Sequence, residues 1–335
     1  MNDTFVDRSE IASLMENVLY EVKRIVVGQD HFLERVLVAM LAQGHLLVEG
    51  VPGLAKTLTV KTLARTLRGD FKRIQFTPDL LPADLVGTRM YNQKTGEFTT
   101  SLGPVFTNLL LADEINRAPA KVQSALLEVM QERQVTIGGR TTAVPDPFLT
   151  LATQNPIESE GTYPLPEAQV DRFMLKVLVD YPSHDEELTV VSRSLEAAPD
   201  LAQVLSLDDL QELQKEVGAV YVDPALISWT VDVATATREP AKHGLADVAD
   251  YVAFGASPRG PISLISAGRA LAVIRGRDYV VPGDLESLVR DAFRHRLVLS
   301  YRALAEEVAP DTILDQVLAK VPVPQIDLGR SRDVA

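Results

Sequence analysis

An apolar run followed by a glycine-bearing turn is the feature that most constrains how this 335-residue chain can fold. Residues 45–49 read "HLLVE", and "GVPGLAKT" follows directly at residues 50–57. This stretch nearly matches the phosphate-binding pattern G-x-x-x-x-G-K-[ST], which joins a strand to a helix, but Ala55 replaces the second glycine of the pattern. We expect the alanine to be tolerated, because it needs only the negative φ of a helix start.

The loop residues predict a nucleotide site. Gly50 and Gly53 allow successive backbone N–H groups to face inward, and the helix that begins near Lys56 adds its positive end. In this arrangement Lys56 neutralises the β and γ phosphates of ATP, and the Thr57 hydroxyl ligates Mg²⁺. The alternative is an ordinary strand-to-helix turn with a solvated lysine. The predicted cofactor-binding residues of the loop are Gly50, Val51, Pro52, Gly53, Leu54, Ala55, Lys56 and Thr57.

A second apolar run ends in two carboxylates, as a nucleotide site with a metal ion requires. Residues 108–114 read "NLLLADE", which is typical of a buried strand. Asp113 is then predicted to hold the Mg²⁺ shell, and Glu114 to orient the water that attacks the γ phosphate. The alternative is a plain strand end that carries two acids.

Strand and helix patterns alternate in the first half of the chain, which predicts an α/β fold with a parallel sheet between helices. Helical periodicity dominates from about residue 186, which predicts a separate all-α domain. We expect an α/β domain at residues 1–182, which includes a short N-terminal helix, then a linker at 183–205 and a helical domain at 206–335. The predicted strands are 46–48, 74–76, 108–112, 148–152 and 174–179.

Composition excludes several classes of function. The chain has no cysteine, so disulfides, zinc thiolate sites and cysteine nucleophiles are excluded. The formal net charge of −13 disfavours nucleic acid as a partner, although local basic patches remain possible. Residues 1–26 lack a signal-peptide pattern and no run approaches eighteen apolar residues, so we predict a cytoplasmic protein without a membrane span.

Four long motifs resemble those of the MoxR family of AAA+ ATPases: "GVPGLAKT", "LLLADEINRAPAKVQSALLEVMQE", "ATQNPIESEGTYPLPEAQVDRFML" and "GASPRG". The resemblance covers most of the chain, and Ala55 fits the family's version of the loop. It implies a P-loop AAA+ domain followed by a helical lid. It also implies an oligomeric ring, often a hexamer, that hydrolyses ATP to remodel protein partners. Such proteins often act with a von Willebrand factor A domain protein in metal insertion or complex maturation.

The resemblance also implies roles for residues outside the loop. Asn155 in "ATQNP" is similar to the sensor 1 residue, whose amide holds the attacking water or the γ phosphate. Arg172 in "EAQVDRF" resembles the arginine finger, which reaches the γ phosphate bound by a neighbouring subunit. The alternatives are that Asn155 caps a turn and that Arg172 forms a surface pair with Asp171.

Two further segments resemble family elements that contact the nucleotide. Arg259 in "GASPRG" is similar to sensor 2, which links the lid to the phosphates. The alternative is that this segment only starts a helix, with Ser257 and Pro258 as the start signals. Val27 and Gly28, after the first helical pattern, resemble the segment that contacts adenine.

Two hairpins are predicted as insertions. Residues 90–106 carry a Thr95-Gly96 turn between extended runs, and the resemblance implies a hairpin inserted in the second helix of this clade. Residues 134–148 carry Gly138-Gly139, which supplies the positive φ of a tight turn. In related ring ATPases such hairpins face the pore or a partner, whereas the alternative is a pair of edge hairpins that only cover the sheet.

Two other functions remain open from sequence alone. A nucleic-acid translocase would need a basic pore, and stimulation of the ATPase by DNA would favour it. A nucleotide-gated scaffold would bind ATP and scarcely hydrolyse it, and an assay of the wild type beside Glu114→Gln would decide.

Overall fold

A computed structural model describes residues 8–51, 53–94, 96–156, 162–197 and 199–326. Pro52 and Thr95, which are named in the predictions above, lie outside the described residues. The strands in chain order are β1 (Leu46–Glu49), β2 (Phe71–Gln75), β3 (Gly87–Asn92), β4 (Glu97–Leu102), β5 (Leu109–Asp113), β6 (Gln134–Ile137), β7 (Arg140–Ala143), β8 (Leu149–Gln154), β9 (Leu175–Leu178), β10 (Val252–Phe254) and β11 (Val298–Leu299).

Fourteen α-helices lie within the described ranges, with short 3-10 helices at Ile115–Arg117, Pro240–His243 and Arg294–Arg296. The α-helices are α1 (Arg8–Lys23), α2 (Asp30–Leu41), α3 (Lys56–Thr66), α4 (Pro82–Val86), α5 (Ala120–Glu132), α6 (Glu167–Val170), α7 (His184–Ser194), α8 (Leu207–Ala219), α9 (Pro224–Arg238), α10 (Ala246–Ala249), α11 (Arg259–Ile274), α12 (Pro282–Phe293), α13 (Tyr301–Ala305) and α14 (Pro310–Lys320).

The first half of the chain forms a five-stranded parallel sheet in the order β2-β5-β8-β1-β9. Successive residues of a strand face opposite sides of a sheet. Accordingly, Leu46 and Val48 pack in one buried cluster, whereas Leu47 packs in the other. The predicted strands are confirmed, although β2 begins three residues earlier than predicted, at Phe71. Because parallel strands need both faces covered, the helices on the two sides follow from this pattern.

Both predicted hairpins form. β3 pairs with β4, and β6 pairs with β7, each in antiparallel register. Gly138 and Gly139 have φ of 57° and 81°, as the predicted tight turn requires. The first hairpin differs from the expectation in one respect. It follows the five-residue helix α4 and is not inserted within a helix, because residues 103–108 run without helix into β5.

The second half of the chain is helical, as predicted, and adds one short antiparallel ribbon, β10-β11. Residues 183–205, predicted as a linker, contain α7 between irregular segments. Helix α1 packs against both α3 and α11, so it contacts the sheet region and the helical region. The domain boundaries given above therefore remain predictions. No helix in the described ranges is long and apolar enough to cross a bilayer.

Candidate active site

A cleft of about 390 Å³ opens at the carboxyl edge of the sheet. It is lined by the loop after β1, the first turn of α3 and the ends of β2, β5 and β8. Ligands of open parallel sheets bind at this edge, because loops and helix N-termini converge there. The predicted residues that line the cleft are Gly50, Gly53, Leu54, Ala55, Lys56, Thr57, Asp113, Glu114 and Asn155. Motifs that are far apart in the sequence thus meet in one place.

The loop conformation corrects one expectation. Helix α3 begins at Lys56, as predicted, but Ala55 precedes it with φ of 55° and ψ of 14°. The expectation of a negative φ at Ala55 is therefore wrong. The chain turns through the left-handed region just before the helix, a conformation that costs an L-residue about 1–2 kcal/mol relative to glycine. The glycine of the general pattern would avoid that cost.

The two glycines of the loop meet different requirements. Gly53 has φ of 90°, which favours glycine, and among the described residues other than its chain neighbours none has an atom within 4 Å of the position a Cβ would take. At Gly50 a Cβ would lie 2.5 Å from the carbonyl oxygen of Val179, so close packing against the end of β9 excludes a side chain. Val51 does not line the cleft and is partly buried against the core. The cradle therefore depends on backbone groups.

Lys56 faces both the loop and the acids of the cleft. Its Nζ donates to the carbonyl oxygen of Gly50 at 2.6 Å. Burial lowers the pKa of the Lys56 ammonium, whereas the charges of Asp113, Glu114 and Glu49 raise it. This half-buried cation donates to a backbone carbonyl of the loop in the field of nearby carboxylates, so it is well placed to exchange that carbonyl for phosphate oxygens.

The two oxygens of the Asp113 carboxylate have different partners. The Thr153 hydroxyl donates to Oδ1 at 2.6 Å. The Nη2 and Nε atoms of Arg73 donate to Oδ2 at 2.6 and 3.1 Å. The side chain of Asp113 is only 15% exposed, so these bonds fix its orientation toward the cleft.

Glu114 lies at a sharp backbone turn directly after β5, and its carboxylate has two polar partners. It has φ of 56°, and its backbone N–H donates to the Thr153 hydroxyl at 2.8 Å. Its Oε2 accepts from Gln75 Nε2 at 2.9 Å and from Arg117 Nε at 2.8 Å. Arg117, three residues further along the chain, thus forms an ion pair with the predicted base.

Arg73, Gln75 and Thr153 line the cleft and are absent from the sequence predictions. In the sheet, Gln75 of β2 pairs with Asp113 of β5. Polar residues at the carboxyl end of a strand that neighbours "LLLAD" were the available signal. The sequence alone did not say which strand is that neighbour.

Arg172 and Arg259 are not among the residues that line the cleft. Arg172 is exposed, and its Nη1 donates to the carbonyl oxygen of Leu127 at 3.4 Å. Arg259 is the first residue of α11, and its Nη1 lies 3.5 Å from Oδ2 of Asp171. The suggested Asp171–Arg172 pair is wrong, because Asp171 instead accepts from the Ser257 hydroxyl and from Nε of Arg296. The sensor 2 and finger roles remain predictions.

The segment predicted to contact adenine lies between α1 and α2. A Cβ at Gly28 would lie 2.6 Å from Oε1 of Glu186, at the start of α7. The side-chain amide Nε2 of the next residue, Gln29, donates to the carbonyl oxygen of Asp180 at 2.9 Å. Val27 and Gly28 do not line the cleft described above, and their predicted contact with the base remains a prediction.

The donor set of the cleft fits a magnesium ion. Mg²⁺ prefers oxygen ligands and is usually held by one or two protein oxygens together with substrate phosphates. The Thr57 hydroxyl and the Asp113 carboxylate offer such oxygens in one cleft. Over the part of the chain that the structure describes, no group of three or more His, Asp or Glu side chains is arranged to hold a metal without a substrate.

Comparisons with known proteins agree with this geometry. The family described as "ATPase family associated with various cellular activities (AAA)" matches residues 45–175, and the AAA lid domain matches residues 245–317. A crystal structure of a presumed ATPase from Cytophaga hutchinsonii superimposes with a TM-score of 0.90 at 47% identity, covering 95% of this chain and 97% of that one. The fold is thus that of an AAA+ protein with a lid domain.

Sequence relatives show to which family of AAA+ proteins the chain belongs. The chain is 56% identical to Chaperone MoxR1 of Mycobacterium tuberculosis, covering 93% of this chain and 83% of the relative. It is 42% identical to the uncharacterized protein YeaC of Bacillus subtilis, covering 95% and 97%. It is 32% identical to Protein MoxR of Paracoccus denitrificans, covering 90% and 93%. The chain belongs to the MoxR family of AAA+ ATPases, and the family resemblance seen in the sequence is confirmed.

Proposed function

We propose that the cleft binds ATP with Mg²⁺ and hydrolyses it. The observation that carries this proposal is the convergence of Lys56, Thr57, Asp113, Glu114 and Asn155 on one cleft. The loop N–H groups and Lys56 grip the phosphates. Thr57 and Asp113 would hold Mg²⁺, which would supply positive charge to offset the negative charge that develops on the transferred phosphoryl group.

Glu114 acts as the base that orients the attacking water. Its backbone N–H is anchored on Thr153, the same hydroxyl that donates to Asp113. The two acids are therefore fixed relative to each other and to the end of β8. Asn155 follows that strand and lines the same cleft, which supports a role for its amide in holding the water or the γ phosphate.

The site is completed by a second copy of the chain. Arg172 is exposed and lies outside the cleft of its own subunit, which supports a role toward a neighbouring one. An arginine finger supplied in trans contributes about 10³–10⁵ in turnover where it has been measured. We propose a ring, most simply a hexamer, in which Arg172 reaches the γ phosphate next door and Arg259 moves from Asp171 to the phosphates of its own subunit.

The ring remodels protein partners in the cytoplasm. Support comes from the name of a relative, Chaperone MoxR1, at 56% identity. We further propose a von Willebrand factor A domain protein as partner, with metal insertion or complex maturation as the outcome. The β3-β4 hairpin is a candidate contact, because Tyr91 and Phe98 are exposed on it with their ring centroids 5.0 Å apart.

Mixing two inactive variants tests the shared site. Lys56→Ala is expected to abolish ATP binding while leaving Arg172 intact, and Arg172→Ala is expected to bind ATP without turning it over. Phosphate release should return when the two are mixed, because the intact cleft of an Arg172→Ala subunit can then meet Arg172 of a neighbouring Lys56→Ala subunit. Light scattering would show whether the two variants assemble together. If they do and still release no phosphate, the assignment of Arg172 as the arginine finger is contradicted.

A matched lysine variant distinguishes the specific role of Lys56 in ATP binding from the general effect of removing a positive charge. Lys61 lies on α3, one helical turn or more beyond the loop, and is exposed. Lys61→Ala is therefore expected to keep the ATP affinity of the wild type in calorimetry, whereas Lys56→Ala shows no measurable binding. Equal affinities for the two variants would overturn the nucleotide site.

A further inference from the structure

The arginine at position 73 lies in the cleft and has no place in the functional scheme above. It is in β2, an edge strand, two residues before Gln75, whose backbone pairs with Asp113. Its guanidinium reaches forward along the strand and donates twice to Oδ2 of Asp113, at 2.6 and 3.1 Å. Gln75 Oε1 accepts a further N–H from Arg73 at 2.8 Å and so orients the group.

The hydrogen bonds from Arg73 occupy a carboxylate oxygen of Asp113 that a metal ion would need as a ligand. Thr153 occupies Oδ1 of Asp113, and Arg73 occupies Oδ2 with two donors. A carboxylate that accepts bonds from a guanidinium has its negative charge largely compensated. A cation that approaches Asp113 from the cleft therefore meets both an occupied oxygen and a neighbouring positive charge.

The exposure of the two side chains indicates which group gives way. Asp113 is 15% exposed and fixed by Thr153, whereas Arg73 is 47% exposed and lies in the edge strand β2. A half-exposed arginine on an edge strand can turn into solvent at small cost, since an ion pair that water reaches contributes little to stability. Movement of Arg73 is thus the easier route to a free oxygen.

From this geometry we infer that Arg73 is a cationic gate on Asp113, which competes with Mg²⁺ for that carboxylate and sets how strongly the metal ion couples to nucleotide binding. The inference rests on the proposed nucleotide and metal roles of the cleft. Arg73 acts through Asp113 and is a positioning residue. Its removal should strengthen the metal's contribution to nucleotide binding, whereas loss of an arginine that binds phosphate would weaken nucleotide affinity both with and without the metal.

The test is a binding measurement that needs no turnover. The affinity for a β,γ-imido ATP analogue is measured by calorimetry with saturating Mg²⁺ and with EDTA, and the ratio of the two is the metal coupling factor. By linkage, this factor also reports how much bound nucleotide strengthens metal binding. Arg73→Gln and Arg73→Met, which both remove the charge, should raise the factor about fivefold over the wild type, equivalent to about 1 kcal/mol.

Two controls make the outcome specific. Lys72→Gln removes a positive charge from the same strand, but Lys72 donates to the carbonyl oxygen of Phe106 and does not line the cleft, so the factor should not change. Asp113→Asn should lower the factor toward one. Far-ultraviolet circular dichroism and melting temperatures should match the wild type for both Arg73 variants, because β2 is an edge strand and the side chain is half exposed.

The results distinguish this inference from the proposed function. If Asp113→Asn lowers the coupling factor but both Arg73 variants leave it unchanged or reduce it, Arg73 is no gate, and the metal role of Asp113 stands. If Asp113→Asn leaves the factor unchanged, the metal assignment fails and the inference about Arg73 fails with it.

Discussion

The guanidinium of Arg296 donates through Nε to Oδ1 of Asp171 at 2.9 Å, and this bond joins the helical region to the sheet region. The Arg296 side chain is 1% exposed, and burial lowers its pKa to about 10 while Asp171 raises it. The arginine therefore stays charged at neutral pH, and its partner is the residue immediately before Arg172. The lid is thus anchored at the base of the proposed finger.

Breaking this pair should be costly. Asp171→Asn leaves a buried guanidinium without its carboxylate, and we expect a loss of about 3–5 kcal/mol in the free energy of unfolding. Ser257→Ala is the matched control, since it removes a neutral hydroxyl donor from the same carboxylate and should cost about 1 kcal/mol. Urea unfolding measures both. Equal losses for the two variants would show that the pair contributes no more than an ordinary hydrogen bond.

Ala55 is expected to be a strained residue of the loop. Ala55→Gly should raise the free energy of unfolding by about 0.5–1 kcal/mol, because relief of the left-handed conformation outweighs the added freedom of the unfolded chain. Ala125→Gly in α5 should have the opposite effect and lower the free energy of unfolding by about 1 kcal/mol, because it places glycine within a regular helix. Urea unfolding would contradict the strain if Ala55→Gly were destabilised as much as Ala125→Gly.

His45, at the start of β1, makes stability depend on pH. Nε2 bonds the carbonyl oxygen of Met130 and Nδ1 accepts from the N–H of Thr150, so the ring is held neutral. Burial lowers its pKa from 6.5 to about 4. As the pH falls through that window, the unfolded chain takes up a proton that the folded chain does not, so stability is lost.

The expected size of the effect is about 2 kcal/mol between pH 7 and pH 5. Wild-type protein should lose that much more stability over this range than His45→Gln, as measured by urea unfolding at the two pH values. His184→Gln, which alters an exposed histidine, should behave like the wild type. A His45→Gln variant with the same pH dependence as the wild type would contradict the neutral buried ring.

The sheet and the loop were predictable from sequence because each depends on local pattern. Buried parallel strands read as apolar runs, and the residues that cap them at the carboxyl edge, such as Asp113 and Asn155, follow directly in the chain. Long motifs of the family then supplied the order of these elements. The position of the cleft followed from the rule that strand ends of a parallel sheet meet at one edge.

What the sequence could not give depends on contacts between distant segments. Arg73 reaches Asp113 only because β2 lies beside β5 in the sheet. The residues around position 73 do not indicate that β5 is the neighbouring strand. The sign of φ at Ala55 is set by how the loop joins β1 to α3. The contact of Arg259 with Asp171 depends on how the lid sits on the sheet region.

Turnover by the Glu114→Gln variant tests the central claim most directly. Phosphate release should fall by about 10²–10⁴, because the amide cannot accept the proton of the attacking water, while affinity for ATP stays at the wild-type value. Glu128→Gln, on the exposed face of α5, should release phosphate normally. A Glu114→Gln protein that binds ATP and hydrolyses it at the wild-type rate would contradict the assignment of this cleft as the catalytic site.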